Sequence, residues 1–183
     1  MKIKLRKVHE EDLEKIMVWR MKPSVTKYMY TDPVLTLEGQ KKWFQKISTD
    51  ESCRYWIIDV DGVAIGLLGL IHIEPEHKRC SWVWYIGEDE YRGKGIAKKI
   101  QLNLYDYVFY HMNFNRLYSD ILSFNTHEIK NVHEAVGYEV EGVLKQHVIK
   151  NGEYLDVVMM GITKDKWNTI KGDFEYSVIE FES

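Results

Sequence analysis

A strand, a glycine-containing turn and a helix follow one another near the middle of this chain. From Cys80 to Gly87 both alternating faces are apolar, which is typical of a strand that is buried on two sides. After the turn, apolar side chains recur at a spacing of four and predict one buried helical stripe: Ile96, Ile100, Leu104 and Val108. A buried strand that leads directly into an amphipathic helix predicts an α/β fold.

The turn itself, from Glu90 to Ala97, has the composition of a phosphate-binding loop. Gly93 and Gly95 have no Cβ, so the backbone can approach a ligand closely. The first amides of the following helix lack intrahelical partners and lie at the positive end of its dipole. Arg92 and Lys94 add positive charge at the same place. The turn is therefore predicted to bind a phosphate group.

The spacing of the two glycines excludes two common phosphate motifs. The P-loop of nucleoside triphosphatases requires Gly-Lys-Ser or Gly-Lys-Thr, but Gly95 is followed by Ile96 and Ala97. A dinucleotide fingerprint requires a third glycine three residues after the second, and Lys98 stands there. The pattern that remains is Arg92-x-x-Gly95-x-Ala97.

The composition restricts the class of protein further. A length of 183 residues suits one domain, and 45% hydrophobic with 29% charged residues is ordinary for a soluble globular protein. A net charge of −3 provides no general attraction for nucleic acid or an anionic membrane. The first residues lack the apolar core of a signal peptide, and the apolar run Val63 to Ile73 is too short to span a bilayer. We therefore expect a cytoplasmic protein.

The hydrophobic pattern predicts a single domain over residues 1–170. Asp61-Gly62 and Asn151-Gly152 are typical of two-residue hairpin turns, and Gly137 suits the end of a helix. Residues 171–183 form a tail that is predicted to be an extra strand, a dimer contact or disordered. The pattern predicts strands at Ile3–Val8, Arg54–Val60, Val63–Ile73, Cys80–Gly87, Leu117–Leu122, Tyr138–Ile149 and Tyr154–Ile162, an irregular segment at Lys22–Pro33, and helices at Glu10–Met21, Leu37–Ser48, Ile96–His111, His127–Val136 and Lys164–Ile170.

Several segments, in this order, resemble the GNAT acetyltransferases, whose ligand is acetyl-CoA. Arg92-x-x-Gly95-x-Ala97 is similar to the pyrophosphate-binding motif of that family, and Phe124-Asn125 with Glu134–Tyr138 is similar to the segment that borders the CoA thiol. Glu141–Leu144 and Asn151–Asp156 are typical of a GNAT subset that includes ribosomal-protein alanine, polyamine and pseudaminic-acid-pathway acetyltransferases. The resemblance implies a mixed, mostly antiparallel sheet of seven strands with a splayed parallel pair, flanked by helices.

The resemblance also implies the reaction and the co-substrate. A primary amine would attack the thioester of acetyl-CoA directly, without a metal. Backbone amides near the end of the central strand would bind the thioester oxygen. The residues that the resemblance assigns to acetyl-CoA are Tyr85, Ile86, Arg92, Gly93, Lys94, Gly95, Ile96, Ala97 and Asn125.

In this family the loop after the first helix forms part of the acceptor pocket, and here it contains Arg20, Tyr28, Met29 and Tyr30. Their order is most similar to the pseudaminic-acid-pathway enzyme. That likeness implies that the acceptor is the 4-amino group of a UDP-linked amino-deoxysugar. Tyrosine and methionine would contact the apolar sugar faces, and arginine would bind the diphosphate.

Other acceptors and roles stay open at this point. A polyamine would need an acidic pocket, which Asp32, Glu38, Glu88 and Asp89 could supply. A ribosomal-protein N-terminus is another candidate acceptor. The chain could also be a non-catalytic CoA-binding module, and the tyrosines of the loop could form a hydrophobic plug.

The chemistry requires a neutral amine and a proton for the departing thiolate. Glu88, just past the central strand, is the predicted base, directly or through water. Many GNAT enzymes have a tyrosine before the Glu of the thiol-bordering segment, and His133 stands there in this chain. A histidine can donate a proton near neutral pH. Tyr138 is the alternative proton donor, and in that case His133 would lie on the solvated face of its helix. The spacing of the histidines indicates no metal site, and a homodimer stays open as the assembly.

Overall fold

The structure is a computed structural model that describes residues 1–125 and 131–182. Within these residues the chain divides into two compact units. The first unit holds Met1–Ile73, Trp82–Lys94 and the chain end from Ile179, and the second holds Glu74–Ser81 and Gly95–Val178. A single domain over residues 1–170 stays a prediction.

The described residues form eight strands and six α-helices. The strands are β1 Ile3–Lys7, β2 Arg54–Val60, β3 Val63–Glu74, β4 Arg79–Ile86, β5 Arg116–Leu122, β6 Glu139–Lys150, β7 Glu153–Thr163 and β8 Glu180–Phe181. The helices are α1 Leu13–Met21, α2 Pro23–Thr26, α3 Leu37–Ile47, α4 Ile96–Asp106, α5 Asn131–Glu134 and α6 Lys164–Ile170. The predicted mixed α/β class is confirmed, with antiparallel pairing in most strands and two parallel pairs, β1 with β8 and β4 with β5.

In the first unit, β2 lies between β1 and β3 and pairs antiparallel with both. The part of β4 from Trp82 to Ile86 belongs to this unit and lies next to β3. Asp61 and Gly62 join β2 to β3 with φ angles of 53° and 86°. These angles are those of a tight primed turn, so the hairpin predicted from this dipeptide is confirmed.

Helix α1 provides much of the core of the first unit. Its buried face carries Leu13, Ile16 and Trp19, which pack with Ile57 of β2 and Leu67 of β3. Trp43 and Phe44 of α3 pack against the same cluster and are partly exposed. The core of this unit therefore holds Trp19, the residue before Arg20, in a fixed position.

The segment after α1 differs from the prediction. It was expected to be irregular because of its two prolines, but α2 begins at Pro23. Proline is favoured in the first turn of a helix, because its fixed φ suits the helix and its missing N–H would be unpaired there anyway. Val25 of this short helix is buried and fixes it to the first unit.

The chain end adds a strand that the seven-strand prediction did not contain. β8 pairs in parallel with β1, with Lys4 opposite Glu180 and Leu5 opposite Phe181. The indole N–H of Trp56 donates to the carbonyl oxygen of Glu182 over 2.9 Å. Of the roles that the sequence left open for the tail, the extra strand is therefore present in this structure.

In the second unit, β7 lies between β6 and β5 and pairs antiparallel with both. The first three residues of β4 pair in parallel with β5, from Arg79 opposite Arg116 to Ser81 opposite Tyr118. The β6–β7 hairpin turns at Asn151 and Gly152, with φ angles of 52° and 82°, which confirms the second predicted hairpin.

Helix α4 ends at Asp106, five residues before the predicted end, and a π-helical turn covers Tyr107–His111. The carboxylate of Asp106 accepts hydrogen bonds from the indole of Trp167 (2.9 Å), the ammonium of Lys171 (2.8 Å) and the hydroxyl of Tyr176 (2.7 Å). These three bonds anchor α6 and the start of the tail to α4 within the second unit.

The predicted helix His127–Val136 falls partly on residues 126–130, which lie outside the described residues. The described part, α5, is followed by Gly137 at a φ of 82°, as predicted for a residue that ends a helix. No helix in residues 1–125 or 131–182 combines the length and the apolar character that crossing a bilayer would require.

Candidate functional site

The predicted phosphate turn has the backbone that its glycines suggested. Gly93 and Gly95 both have a φ of 73°, in the left-handed region where residues with a Cβ are strained. Among the described residues, and apart from its own chain neighbours, no atom lies within 4 Å of the position that a Cβ on Gly95 would occupy, so a ligand has room there. Gly95 directly precedes α4, whose first turn carries no acidic residue. The first helical amides and their dipole therefore offer an uncompensated positive end to an anion.

Other residues of the predicted turn have different environments. Ile96 is buried and belongs to the core, and Ala97 is half-buried. The ammonium of Lys94 lies 5.1 Å from the ring centre of Tyr91, where a cation and an aromatic face attract each other. Asn125 closes a short 3₁₀ turn, Ser123–Asn125, and its role toward CoA stays a prediction.

Arg92 holds the turn in place. Its guanidinium donates to the carbonyl oxygen of Ile86 over 2.7 and 3.3 Å, pairs with Asp89 at 3.0 Å and reaches the hydroxyl of Ser24 at 3.4 Å. A guanidinium with these partners connects the end of β4 to the turn and has fewer donors left for a ligand. We infer that phosphate binding at this turn depends more on its backbone amides than on the charge of Arg92.

Glu88, the predicted base, is surrounded by donors. The indole N–H of Trp19 donates to one carboxylate oxygen over 3.0 Å, and the ammonium of Lys22 lies 3.3 Å from the other. Lys15 adds a third contact at 3.5 Å. The bond from Trp19 and the two lysines lower the pKa of Glu88. A carboxylate with a lowered pKa holds a proton less well, so this environment makes Glu88 a weaker general base.

Two polar groups in the first unit lack a hydrogen-bond partner among the described residues. One is Nη1 of Arg20 and the other is the hydroxyl of Tyr85, and both atoms are buried. Arg20 donates through Nη2 to the carbonyl and the hydroxyl of Thr31, at 3.1 and 3.0 Å. Burial lowers the pKa of Arg20 and raises that of Tyr85. Buried unbonded N–H and O–H groups are costly, and an oxygen atom of a ligand would satisfy them.

The aromatic loop predicted to bind the acceptor is half-buried. Tyr28, Met29 and Tyr30 follow α2 and are neither fully exposed nor part of the core. The ammonium of Lys27 lies 4.3 Å from the ring centre of Tyr28. The acceptor role of this loop therefore stays a prediction, with enough exposed surface for a ligand to contact.

His133 is buried, contrary to the solvated helix position that the sequence left open for it. Only 2% of the residue is exposed, and its Nδ1 lies 2.8 Å from Oε1 of Gln101 on α4. The amide nitrogen of Gln101 donates to the hydroxyl of Tyr105 over 2.6 Å. Burial lowers the pKa of His133 to about 4, because a charged imidazole would lose its hydration. His133 is therefore neutral at pH 7.

Tyr138, the alternative proton donor, belongs to the same buried cluster. Its ring stacks on Tyr105 with 6.1 Å between centroids and lies 5.3 Å from the imidazole of His133. The backbone N–H of Tyr138 donates to the carbonyl oxygen of His133. Trp167 completes the cluster with its ring edge against Tyr105 at 5.0 Å. The second unit thus brings both predicted proton donors together.

The burial of His133 predicts a loss of stability in acid. Its pKa of about 4 lies below the ordinary value of 6.5, so the unfolded chain takes up the proton first as the pH falls. The free energy of unfolding should decrease between about pH 6.5 and pH 4, by about 3 kcal/mol in total. Urea unfolding of the protein and of His133→Gln at several pH values measures this. Identical pH dependence in the two proteins would contradict the burial of a neutral imidazole.

Sequence reasoning missed the partners of both predicted catalytic groups. Trp19 and Lys22 contact Glu88 from 69 and 66 residues away, and Gln101 contacts His133 from 32 residues away. One signal was present in the sequence, because Gln101 stands beside Ile100 and Leu104 on the apolar side of α4. A polar residue that interrupts an apolar stripe is expected to have a buried partner.

A further group of possible metal ligands lies on the β3–β4 connection. Glu74, Glu76 and His77 bring one ligand atom each to within 4.8 Å of one another. The carboxylate of Glu74 is bonded by Arg79 at 2.8 Å, which already balances its charge. Exposed acidic groups of this kind are common on protein surfaces without a bound ion.

Comparisons with known proteins show which family and which enzymes this chain is similar to. Residues 2–139 match the family described as Acetyltransferase (GNAT) domain. The chain is 28% identical over 165 residues to the spermidine N(1)-acetyltransferase of Escherichia coli, covering 90% of this chain and 88% of that protein. Its sequence is 26% identical to that of spermidine N-acetyltransferase from Vibrio cholerae. The crystal structure of that protein in complex with CoA and spermine superposes on this chain with a TM-score of 0.84, over 91% of this chain and 98% of that one.

The same comparisons bear on the acceptor predicted from the sequence. The acetyltransferase PseH of Campylobacter jejuni is 23% identical over 123 residues, covering 67% of this chain and 74% of that protein. This match is shorter and more divergent than those to the two spermidine enzymes. The comparisons therefore favour the polyamine alternative over the sugar-nucleotide acceptor that the order of Arg20, Tyr28, Met29 and Tyr30 suggested.

Proposed function

The chain belongs to the GNAT family of acetyltransferases, and from this premise we propose that its acceptor is a polyamine of the spermidine class. It is an N-acetyltransferase that takes the acetyl group from acetyl-CoA and transfers it to a primary amine. The observation that carries the polyamine proposal is the likeness to spermidine acetyltransferases over nine-tenths of the chain, both in sequence and in structure.

We place acetyl-CoA at the turn before α4. The open, positive-φ backbone at Gly93 and Gly95 and the free end of α4 suit a pyrophosphate, and Lys94 adds charge beside them. In this proposal the end of β4, at Tyr85 and Ile86, binds the thioester and the pantetheine arm through backbone amides. Arg92 supports the turn through its bonds to the carbonyl of Ile86.

An assay of thiol release tests the proposal. CoA should be freed from acetyl-CoA when spermidine is added, with a kcat/KM at least about tenfold above that for a UDP-linked amino sugar or an N-terminal alanine peptide. Mass spectrometry of the product identifies the acetylated nitrogen. Turnover of the amino sugar in preference to spermidine would overturn the polyamine proposal, and binding of CoA without turnover of any amine would indicate a non-catalytic module.

Substitution of Arg20 provides a more specific prediction. A desolvated guanidinium near the acceptor repels a polycation, so Arg20→Ala is expected to lower the KM for spermidine by about two- to tenfold and leave the KM for acetyl-CoA unchanged. Steady-state kinetics with both substrates measure this. Arg54→Ala, which removes an exposed arginine at the start of β2, is the matched control and should leave both constants unchanged.

A second candidate acceptor is supported by one observation. Nη1 of Arg20 and the hydroxyl of Tyr85 are buried without a partner among the described residues, and both can donate to an oxygen. An amine that also carries a phosphate or carboxylate would satisfy them, whereas spermidine has no oxygen. If Arg20→Ala raises the KM of such an amine and leaves spermidine kinetics unchanged, the polyamine proposal is wrong. A homodimer and a cytoplasmic location stay predictions.

A further inference from the structure

Helix α2 leads directly into the loop that is predicted to contact the acceptor, residues 28–30, which we call the acceptor loop. The backbone N–H groups of Tyr28 and Met29 donate to carbonyl oxygens of this helix, at 3.1 and 2.9 Å. Val25 of the helix is only 1% exposed and packs into the first unit. The position of α2 therefore determines where the acceptor loop begins.

Lys22, the residue before α2, contacts the segment that leads from the end of β4 toward the glycine turn, residues 86–92. Its ammonium donates to the carbonyl oxygen of Gly87 over 2.7 Å and lies 3.3 Å from a carboxylate oxygen of Glu88. The Lys22 side chain is 31% exposed, so these bonds are partly shielded from water and salt. Hydrogen bonds from a charged donor are among the stronger ones in proteins. Lys22 therefore holds the start of α2 against residues 86–92.

Ser24 makes a second contact between α2 and the same segment. Its hydroxyl donates to the carboxylate of Asp89 over 3.2 Å, and Nη2 of Arg92 lies 3.4 Å from its oxygen. Arg92 also pairs with Asp89 at 3.0 Å and donates to the carbonyl oxygen of Ile86 over 2.7 Å. Ser24 thus joins α2 to the ion pair that holds the end of β4.

Residues 86–92 are themselves held by β3 and α1. The N–H groups of Gly87 and Glu88 both donate to the carbonyl oxygen of Ile65, at 2.8 and 3.2 Å. A Cβ on Gly87 would lie 2.1 Å from the indole of Trp19, so this ring packs directly on the backbone. A displacement of the segment would break these contacts, so it offers α2 a fixed surface.

We propose that Lys22 and Ser24 are positioning residues that dock the acceptor loop on the segment beside the proposed acetyl-CoA site. This inference rests on the proposed function, which places acetyl-CoA at the end of β4 and at the glycine turn. Acetyl-CoA that steadies residues 86–92 then also steadies the loop that receives the amine, because the two are joined by direct contacts. The two side chains act through the loop and bind neither substrate.

Hydrogen exchange measured by mass spectrometry tests the docking without any substrate. In the ligand-free protein, Lys22→Met and Ser24→Ala should each speed the exchange of residues 25–30 by about threefold or more. The reason is that backbone hydrogen bonds open more often in a segment that is held less tightly. Unchanged exchange in both variants would overturn the proposal. Ser24→Ala removes only a hydroxyl, so it remains informative if Lys22→Met does not fold.

Lys15 provides the matched control for Lys22. Its ammonium lies 3.5 Å from the carboxylate of Glu88, but Lys15 belongs to α1 and donates to the carbonyl oxygen of Ala64 over 2.7 Å. Lys15→Met therefore removes a positive charge from the same carboxylate and leaves the contacts of α2 in place. It should leave the exchange of residues 25–30 unchanged. Faster exchange equal to that of Lys22→Met would assign the effect to charge and overturn the proposal.

Added CoA distinguishes a failure of this inference from a failure of the proposed function. In the wild-type protein we expect CoA to slow exchange in residues 86–94 and in residues 25–30. In the double variant Lys22→Met, Ser24→Ala it should slow only residues 86–94. Slowing of residues 86–94 alone in the wild-type protein would overturn the proposal. If CoA slows neither segment, the proposed acetyl-CoA site is wrong, and exchange without ligand still decides whether α2 docks as described.

Kinetics show whether the docking serves the reaction. Lys22→Met should raise the KM for spermidine about three- to tenfold, with kcat and the KM for acetyl-CoA within about twofold. Loss of positive charge alone has the opposite effect, because it reduces the repulsion of a polycation. A lowered or unchanged KM would therefore overturn the proposal. Lys22→Arg keeps a charged donor and should return this KM to within about twofold of the wild-type value. If another amine proves to be the acceptor, its KM is measured instead, with Lys15→Met reporting the effect of charge alone.

Discussion

Replacing Gly95 with aspartate is expected to abolish the binding of acetyl-CoA. The carboxylate would stand at the start of α4, where the pyrophosphate of the proposed acetyl-CoA site needs backbone amides and the positive end of the helix dipole. The added carboxylate would repel the negatively charged pyrophosphate, and the added side chain would fill the open space beside the backbone. We expect affinity to fall by about 100-fold or more, measured by isothermal titration calorimetry with CoA.

Gly152 allows a matched control for this substitution. Its φ is 82° and it lies in the β6–β7 hairpin, and no atom of the described residues beyond its chain neighbours lies within 4 Å of the position of a Cβ. Gly152→Asp therefore adds the same charge at a similarly strained position, away from the turn, and should leave CoA affinity unchanged. A folded Gly95→Asp protein that still binds CoA as tightly as the wild-type protein would show that the phosphate site lies elsewhere in the chain.

Removal of the imidazole of His133 is expected to lower kcat by about 100-fold, with little change in the affinity for acetyl-CoA. The ring is the group predicted to give a proton to the departing thiolate, and alanine cannot do so. Stopped-flow measurement of a single turnover separates this chemical step from product release. The affinity for CoA is measured separately, because a loss of binding would indicate a structural effect.

The cavity left by the missing imidazole requires its own control. Val136 is fully buried close to His133, and its N–H donates to the carbonyl oxygen of His133. Val136→Ala removes apolar volume at the same place without removing a titratable group, so it should lower stability but not kcat. Normal turnover by His133→Ala would assign the proton transfer to another residue, and Tyr138→Phe would be the next variant to measure.

The features that the sequence predicted well are those that depend on neighbouring residues. The turn dipeptides Asp61-Gly62 and Asn151-Gly152 adopt positive φ because asparagine, aspartate and glycine tolerate it, and this holds wherever the hairpin lies. The positive φ of Gly95 was predictable for the same reason. Its lack of a Cβ and its position before an apolar helical repeat can both be read from a few neighbouring residues. The strand boundaries agree to within about two residues for the same reason.

Features that depend on distant residues were not predictable. β8 has only two residues, and its pairing with β1 joins chain segments 176 residues apart, which no local pattern encodes. The sequence placed Glu88 after a strand but could not show that Lys15, Lys22 and Trp19 would surround it and lower its pKa. A pKa depends on charges and solvent within a few ångströms, and those come from residues brought together by folding.

The sequence by itself determined that this chain has a positive-φ glycine turn before α4, two hairpins, and the order of elements that a GNAT acetyltransferase requires. Those properties follow from backbone preferences and hydrophobic periodicity, which act over a few residues. Only the tertiary structure decided that His133 is buried and neutral, that Gln101 bonds its Nδ1, and that Arg20 keeps a buried N–H without a described partner. Burial and the direction of hydrogen bonds are properties of packed neighbours, so the chemical state of each group is fixed only when the chain has folded.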